Sequence, residues 1–152
     1  MDDIIMNGIL FSDGNKNILF DIIDYEFSFC KKMDYYDANW LTVNIRCIDN
    51  YTDKSYTDNC ILTYELDNLV QQIDNIIDGK ESGLITEFME PYLKFSITKA
   101  NDIYAVQIRF VCDTAEEWKE VYVSQGMNVN ELVEMRNGLD KLRKKFPVRQ
   151  VK

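Results

Sequence analysis

Residues 63–79 read TYELDNLVQQIDNIIDG, and their apolar side chains recur at helical spacing. This pattern predicts an amphipathic helix near residues 63–78, with Thr63 capping its start and Gly79 ending it. A helix with one apolar face has to bury that face, and a sheet is the simplest surface to receive it. The apolar positions are Tyr64, Leu66, Leu69, Val70, Ile73, Ile76 and Ile77.

Alternation of apolar and polar residues predicts strands on both sides of this helix. Two segments read as polar loops, residues 34–39 and residues 49–59, and the second is followed by a short strand near 60–62. The other predicted strands cover residues 4–11, 18–23, 25–30, 41–47, 84–88, 93–98, 104–112 and 120–124.

A second helix is predicted near residues 128–146, with Asn128 and Glu131 forming a capping box and Pro147 ending the helix. Short turns between successive strands favour antiparallel pairing, because parallel neighbours need a long crossover. The 152 residues therefore predict a single α+β domain: a mostly antiparallel sheet of six to eight strands with two helices, in the order strands, helix, strands, helix.

The composition restricts the classes of function. Histidine is absent, which excludes Ser-His-Asp and Cys-His nucleophile pairs and every His-ligated metal centre. We expect no catalytic residues, no cofactor and no metal. The formal charge is −9, and the first 76 residues hold 14 acidic against 5 basic side chains. Such an acidic half repels nucleic acid and attracts cationic proteins, although the same acidity also keeps a cytosolic protein soluble.

The chain has no apolar run near the roughly 20 residues that a membrane helix needs, and it begins with an acidic segment. We therefore expect a cytoplasmic protein that does not bind membranes. The four cysteines lack metal-ligand spacing, so we expect buried small apolar residues and not a disulfide or metal framework. They are Cys30, Cys47, Cys60 and Cys112.

Three groups of charged or polar residues have both a chemical and a structural interpretation, and the structural one is favoured for each. Asp13, Asn15 and Asn17 have calcium-loop spacing, but Ile18 stands where such a loop needs glycine, so a hairpin turn is favoured. Glu65, Glu87 and Glu90 could serve a hydrolase only if two of them face one substrate. The cations of residues 141–152 are the expected complement of a helix C-terminus.

The two polar loops combine acidic residues with tyrosine, which is enriched at binding hot spots, while carboxylates steer a basic partner. The alternative is that they are solvated loops whose tyrosines fold back onto the sheet. The candidate partner-binding residues are Asp34, Tyr35, Tyr36, Asp37, Asp49, Tyr51, Asp53, Tyr56 and Asp58.

Three motifs carry a family resemblance: Asn39-Trp40-Leu41, CILTYEL at residues 60–66 and FMEPYLKF at residues 88–95. In this order and spacing they resemble the WapI-type immunity proteins, across about residues 24–125. The resemblance implies a small cytoplasmic bacterial protein that neutralises the toxic end of a cell-wall-associated contact toxin, and it implies no catalytic residue.

The leading hypothesis is therefore an immunity-type inhibitor that binds a basic, nuclease-like toxin by occlusion. The alternatives are a small-molecule-binding or carboxylate-based enzyme domain, with Glu65 and Glu90 in one pocket, and a structural protein that forms homo-oligomers.

Overall fold

The computed structural model describes residues 8–30, 32–113 and 118–151, and these ranges contain eight strands and three helices. In chain order the elements are β1 Ile9–Ser12, β2 Asn17–Tyr25, α1 Tyr35–Asn39, β3 Trp40–Ile48, β4 Asp53–Leu62, α2 Thr63–Ile77, β5 Gly83–Ile85, β6 Leu93–Ala100, β7 Ile103–Asp113, β8 Trp118–Met127 and α3 Val129–Lys145.

The strands form two four-stranded antiparallel sheets, which we name sheet A (β1-β2-β3-β4) and sheet B (β5-β6-β7-β8). Every neighbour along each sheet is also a neighbour along the chain, as hairpin connections require. The predicted α+β class with antiparallel strands is confirmed, and the strands are divided between two sheets.

The core lies where the inner faces of the two sheets meet. Phe95 of sheet B contacts two rings of sheet A, with centroids 5.5 Å from Phe20 and 6.1 Å from Phe11. Helices α2 and α3 pack on each other, α2 also contacts β4 and β5, and α3 contacts β1, β7 and β8. One continuous cluster of buried side chains therefore includes both sheets and both long helices.

The face predicted for α2 is the buried one. Gln71 on the opposite face is exposed, and Ile77 near the helix end is half-buried. The apolar positions that are at most 1% exposed are Leu66, Leu69, Ile73 and Ile76. Asp67 and Asp74 lie outside the predicted apolar stripe, yet they are half-buried because each faces an arginine of α3.

The helix ends follow the predicted pattern, with one exception. Asn128 and Glu131 exchange hydrogen bonds at the start of α3, and Gly79 has a φ of +79° just after α2. Thr63 does not cap α2: it is the first helical residue, and the Glu65 carboxylate instead accepts the N–H of the N-cap residue Leu62 at 3.0 Å.

The largest correction concerns residues 49–59, which were predicted to be a loop. Only the turn at 49–52 is irregular, and β4 runs for ten residues from Asp53. Its composition is polar because it is an edge strand with one neighbour, so little of it is buried.

Three other predicted elements differ from the structure. Residues 35–39 form the short helix α1, whose N-cap Asp34 accepts the Tyr36 N–H at 2.7 Å. The strand predicted over residues 25–30 is wrong, because β2 ends at Tyr25 and the alternating Phe27 and Phe29 are exposed. The strand predicted at 84–88 is the shorter β5, and the start of the strand predicted over 4–11 lies outside the described residues.

Two smaller predictions have mixed outcomes. The Asp13 carboxylate accepts the N–H groups of Asn15 and Lys16, so this segment is the predicted hairpin turn. Among the described thiols Cys60 is buried as expected, Cys47 is half-buried and Cys30 is exposed, which contradicts the prediction for Cys30. In the described part of the chain, no helix has the length and apolar character to cross a membrane.

Candidate protein-binding surface

The candidate residues lie at the two ends of the β3–β4 hairpin. Asp34, Tyr35, Tyr36 and Asp37 precede β3, beside the end of β4, whereas Asp49 and Tyr51 lie in the turn at the other end. The nine residues of β3 separate these groups by roughly 27 Å, at about 3.4 Å per residue. The structure therefore does not bring the two predicted loops together.

The first end is built around the side chain of Asn39, which is 0% exposed. Its amide nitrogen donates to the carbonyl oxygens of Tyr35 at 2.8 Å and Arg149 at 3.1 Å. Its amide oxygen accepts from the Thr63 hydroxyl at 2.7 Å and from the Arg149 N–H at 2.8 Å. This one side chain joins α1, the start of α2 and the segment after α3.

Arg149 also fixes the loop between β2 and α1. Its guanidinium lies 3.4 Å from the Tyr25 ring centroid, and its Nη1 donates to the Phe27 carbonyl oxygen at 2.8 Å. The same guanidinium is 5.6 Å from the Phe29 ring. These contacts tie residues 25–29 to the segment after α3, while Phe27 and Phe29 remain exposed.

Three tyrosines form a contiguous row on this end. The Tyr35 ring contacts the Tyr36 ring edge to face at 5.7 Å and stacks on the Tyr64 ring at 6.4 Å. Tyr36 is 45% exposed, and the other two rings are half-buried. These contacts therefore restrict the side-chain rotamers of the three tyrosines before any partner binds.

Four carboxylates lie at this end of the hairpin. Asp34 and Asp37 are on either side of the two tyrosines in the sequence, and the charges of Asp37 and Asp58 act on Glu26. Burial, together with the charges of Asp37 and Asp58, raises the pKa of the Glu26 carboxyl. None of the four forms an ion pair with a lysine or arginine within the described ranges. The negative charges of these carboxylates repel one another, and a cationic partner that binds here would reduce that repulsion.

We call the set of Glu26, Asp34, Tyr35, Tyr36, Asp37, Asp58 and Tyr64 the aromatic–acidic end. Sequence reasoning missed Glu26 and Tyr64. Glu26 was assigned to a strand, and Tyr64 was assigned to the apolar stripe of α2. Neither residue is adjacent in the sequence to the acidic loops, so no local signal placed them there.

An open cleft of about 450 Å³ continues the surface beyond Tyr64, between the first turns of α2 and residues 85–89. Ile85 and Met89 are exposed along it, so apolar area adjoins the tyrosine row. Glu65 lies in its wall, where its carboxylate accepts the Leu62 N–H at 3.0 Å and the Met89 N–H at 2.7 Å.

These contacts give Glu65 a structural role. Burial raises the pKa of its carboxyl and the two backbone N–H groups act in the opposite direction, while the charge of Glu90 adds a smaller increase. Both oxygen atoms are held by backbone amides, and the cleft is lined by Glu65 and Glu87 but not by Glu90. The carboxylate-enzyme hypothesis, which needs Glu65 and Glu90 in one pocket, gains no support from this arrangement.

The second end of the β3–β4 hairpin is the turn at residues 49–52. The Asp49 carboxylate accepts the N–H groups of Tyr51 and Thr52, and the first of these bonds is the main cause of its lowered pKa. Tyr51 is 93% exposed at the tip of the turn. Asp53 is paired bidentately with Arg46, at 2.9 Å and 2.7 Å, so its charge is largely compensated.

The last two candidates lie on β4 itself. Tyr56 is on the inner face, half-buried, with its ring centroid 6.2 Å from that of Phe110. Asp58 is opposite Val43, at the end of β4 that adjoins Glu26. Tyr56 thus folds back onto the sheet, as the alternative interpretation of this segment expected.

The sequence matches the profile of the immunity protein WapI-like family over residues 9–147. The chain belongs to this family. The match confirms the resemblance carried by the three motifs and extends it to β1 and α3. Membership in the WapI-like family points to an immunity function and, in general, to a toxin protein as partner.

Other comparisons add no further assignment. No curated protein matches the chain significantly. Two solved structures align weakly with this WapI-like protein. The plant transcriptional regulator PBF-2 is 9% identical with a TM-score of 0.47, covering 91% of this chain and 81% of that one. WHY3 from Arabidopsis thaliana is 8% identical with a TM-score of 0.48, covering 91% and 87%.

Proposed function

We propose that this protein binds the toxic domain of a contact-dependent toxin in the cytoplasm and neutralises it by occlusion. The partner is a basic, nuclease-like domain, and the immunity protein acts as a binding protein without a catalytic step. Its binding surface is the aromatic–acidic end, continued by the cleft beside Tyr64.

The observation that carries this proposal is that three contacting tyrosine rings lie among four carboxylates without a described basic partner. Carboxylates at the rim of an interface accelerate the encounter with a cationic protein. A tyrosine that loses its water on binding slows dissociation, and such residues are frequent hot spots. The surface thus has both components of a tight complex with a basic protein.

The experiment needs a cognate toxic domain, and the gene adjacent to the one for this chain is the first place to look for it. Producing that domain alone should arrest growth, and co-producing the immunity protein should restore growth. Growth arrest that persists with a soluble, folded immunity protein would refute the proposal.

The position of the surface is tested by a matched pair of alanine variants. Tyr36→Ala should raise the dissociation rate of the complex by roughly 30-fold, which corresponds to about 2 kcal/mol at a hot spot. Ile103 at the start of β7 has nearly the same exposure, 48% against 45%, and Ile103→Ala should change the rate by less than about twofold. Equal rates for the two variants would place the interface elsewhere.

A third variant tests the other end of the hairpin. Tyr51 is 93% exposed, and the ring contacts found among the described residues do not include it. The carboxylates of Asp49 and Asp53 beside it are already engaged. We expect Tyr51→Ala to have a smaller effect on dissociation than Tyr36→Ala in the same surface plasmon resonance series.

A further inference from the structure

Strand β4 is an open edge of sheet A. Sheet A ends at β4, and no other strand in the described ranges pairs with its outer side. Residues 53–59 are all exposed or half-buried, so no helix or loop from the described ranges covers this part of the strand. From Asp53 to Asn59 the edge is about 20 Å long, which is enough for a partner strand of about seven residues.

The other sheet edges of the described chain are protected. β5 is only three residues long. β1 and β8 face one another, with the Ser12 N–H donating to the Gln125 side-chain oxygen at 2.9 Å. Proteins commonly shorten or cover edge strands because unpaired backbone groups recruit other strands. β4 is the long exception among the described strands.

The backbone groups that β4 presents can be identified from its register. At the turn the Asp49 N–H donates to the Thr52 carbonyl oxygen at 2.9 Å, which makes that pair hydrogen-bonded. Opposed pairs then alternate along an antiparallel ladder. The residues of β4 in non-hydrogen-bonded pairs are therefore Asp53, Ser55, Thr57 and Asn59. Their backbone N–H and C=O groups point away from β3.

The far end of the strand supports this assignment. The Asn59 N–H donates to the Asp58 carboxylate at 2.8 Å, which is expected only for an amide that does not take part in the ladder with β3. The N–H groups of Asp53, Ser55 and Thr57 are left facing outward, together with the four carbonyl oxygens.

β4 also connects the two ends of the hairpin. It begins beside the exposed Tyr51 and ends beside Glu26 and Asp37 of the aromatic–acidic end. A strand added along this edge would contact the turn, the edge itself and the tyrosine row in one interface. The two groups of candidate residues, roughly 27 Å apart, then belong to a single docking site.

We propose that the toxin docks by strand addition, with an extended segment bearing lysine or arginine pairing with the outer edge of β4. This inference rests on the proposed function and specifies its binding mode. Charge selects the occupant: the edge ends among four carboxylates, so a basic strand is attracted. A second copy of this chain carries the same formal charge of −9 and is repelled.

The experiment compares two double variants at the same positions. S55P/T57P removes two outward N–H groups and places proline rings on the edge, while the ladder with β3 stays intact because these amides do not bond to it. S55A/T57A changes the side chains equally but keeps both amides. The probe is the toxic domain that the growth-rescue experiment identifies as cognate, titrated by isothermal calorimetry at fixed salt.

We expect S55P/T57P to bind at least tenfold more weakly, and S55A/T57A to bind within twofold of the unaltered protein. Hydrogen exchange of the unaltered complex gives a readout that does not depend on how the proline variant folds. The Ser55 and Thr57 amides should exchange much more slowly in the complex than in the free protein, whereas the ladder amides of Tyr56 and Asp58 should change little.

The outcomes separate this inference from the proposed function. If the domain binds with unchanged exchange at Ser55 and Thr57, strand addition is wrong and the proposed function stands. If the unaltered protein does not bind the domain, the proposed function fails and the inference fails with it. A dimer in sedimentation that S55P/T57P converts to a monomer would identify a second copy as the occupant and overturn the inference.

Discussion

At the scale of single residues, Asn39 shows how one buried amide can organise a surface. Its four hydrogen bonds reach residues that are distant in the sequence, Thr63 and Arg149, as well as the adjacent α1. From the sequence, Asn39 could be identified only as part of the Asn39-Trp40-Leu41 motif and as the last residue of the polar loop at residues 34–39. Its burial could not be predicted because it depends on tertiary partners up to 110 positions away.

Removing this amide should destabilise the fold. Asn39→Ala leaves the backbone groups of Arg149 and the Tyr35 carbonyl without their partner in a partly buried site. We expect the free energy of unfolding in urea to fall by about 2–3 kcal/mol. Asn50→Ala, in the exposed turn between β3 and β4, serves as the control and should change it by less than about 0.5 kcal/mol.

At the scale of the secondary structure elements, α2 and α3 were predictable because their signals are local. Helical spacing places Leu66, Leu69 and Ile73 on one face, and Asn128 with Glu131 marks the start of α3. The strands at the surface were less predictable. The sequence of β4 resembles a loop because an edge strand buries few of its side chains. Phe27 and Phe29 alternate like a strand, but no strand of the described ranges pairs with them.

The buried face of α2 gives the first prediction for an element. Leu69 is 1% exposed, and its replacement by alanine leaves a cavity between the helix and the rest of the core. Leu69→Ala should lower the free energy of unfolding by about 2–5 kcal/mol. Gln71→Ala on the exposed face of α2 is the control, and a loss below about 0.5 kcal/mol for Leu69→Ala would show that the wrong face has been assigned to the core.

A charge network joins α2 to α3 and gives the second prediction. Asp140 is buried and accepts from Arg143 and from Lys144, and Arg136 lies 3.4 Å away and pairs with Asp74 of α2. Hydrogen bonding to Arg143 is the main reason that the pKa of Asp140 lies below its ordinary value. The Asp140–Arg143 pair therefore stabilises the fold at pH values above the unfolded-state pKa of about 3.9. This contribution is lost as the pH falls through the lower folded-state pKa of Asp140.

Asp140→Asn should consequently be less stable than the unaltered protein at pH 7. The difference in the free energy of unfolding should begin to shrink as the pH falls below about 4, where the unfolded-state aspartate takes up a proton. It should be smallest once the pH is also below the lower folded-state pKa. Urea titrations at pH 7, 5 and 3 measure this difference directly. Asp102→Asn, in the exposed turn before β7, is the control, and a difference for Asp140→Asn that stays constant with pH would contradict the role of its charge.

At the scale of the whole molecule, the distribution of charge and aromatic area could be predicted only in part. The sequence placed acid and tyrosine in residues 34–37 and 49–58, and the structure keeps Tyr36 and Tyr51 exposed. It could not show that the hairpin separates them, or that Glu26 and Tyr64 join the first group. Those relations are set by the direction of β3 and β4 and by the contact of Tyr35 with Tyr64.

The central claim is that the aromatic–acidic end receives a basic toxin domain, and association kinetics test it most directly. The triple variant D34N/D37N/D58N removes three charges, and asparagine can still accept the backbone hydrogen bonds made by Asp34 and Asp58. The control D78N/E81Q/D102N removes three exposed charges beyond the opposite end of α2 and in the turn before β7.

Stopped-flow mixing with the toxic domain at low and at high salt gives the association rate constant for each protein. We expect the first triple variant to associate at least about tenfold more slowly than the unaltered protein at low salt and to depend less on salt, with the control close to the unaltered protein. Association of D34N/D37N/D58N at the unaltered rate at low salt would contradict the claim that this end is the docking surface.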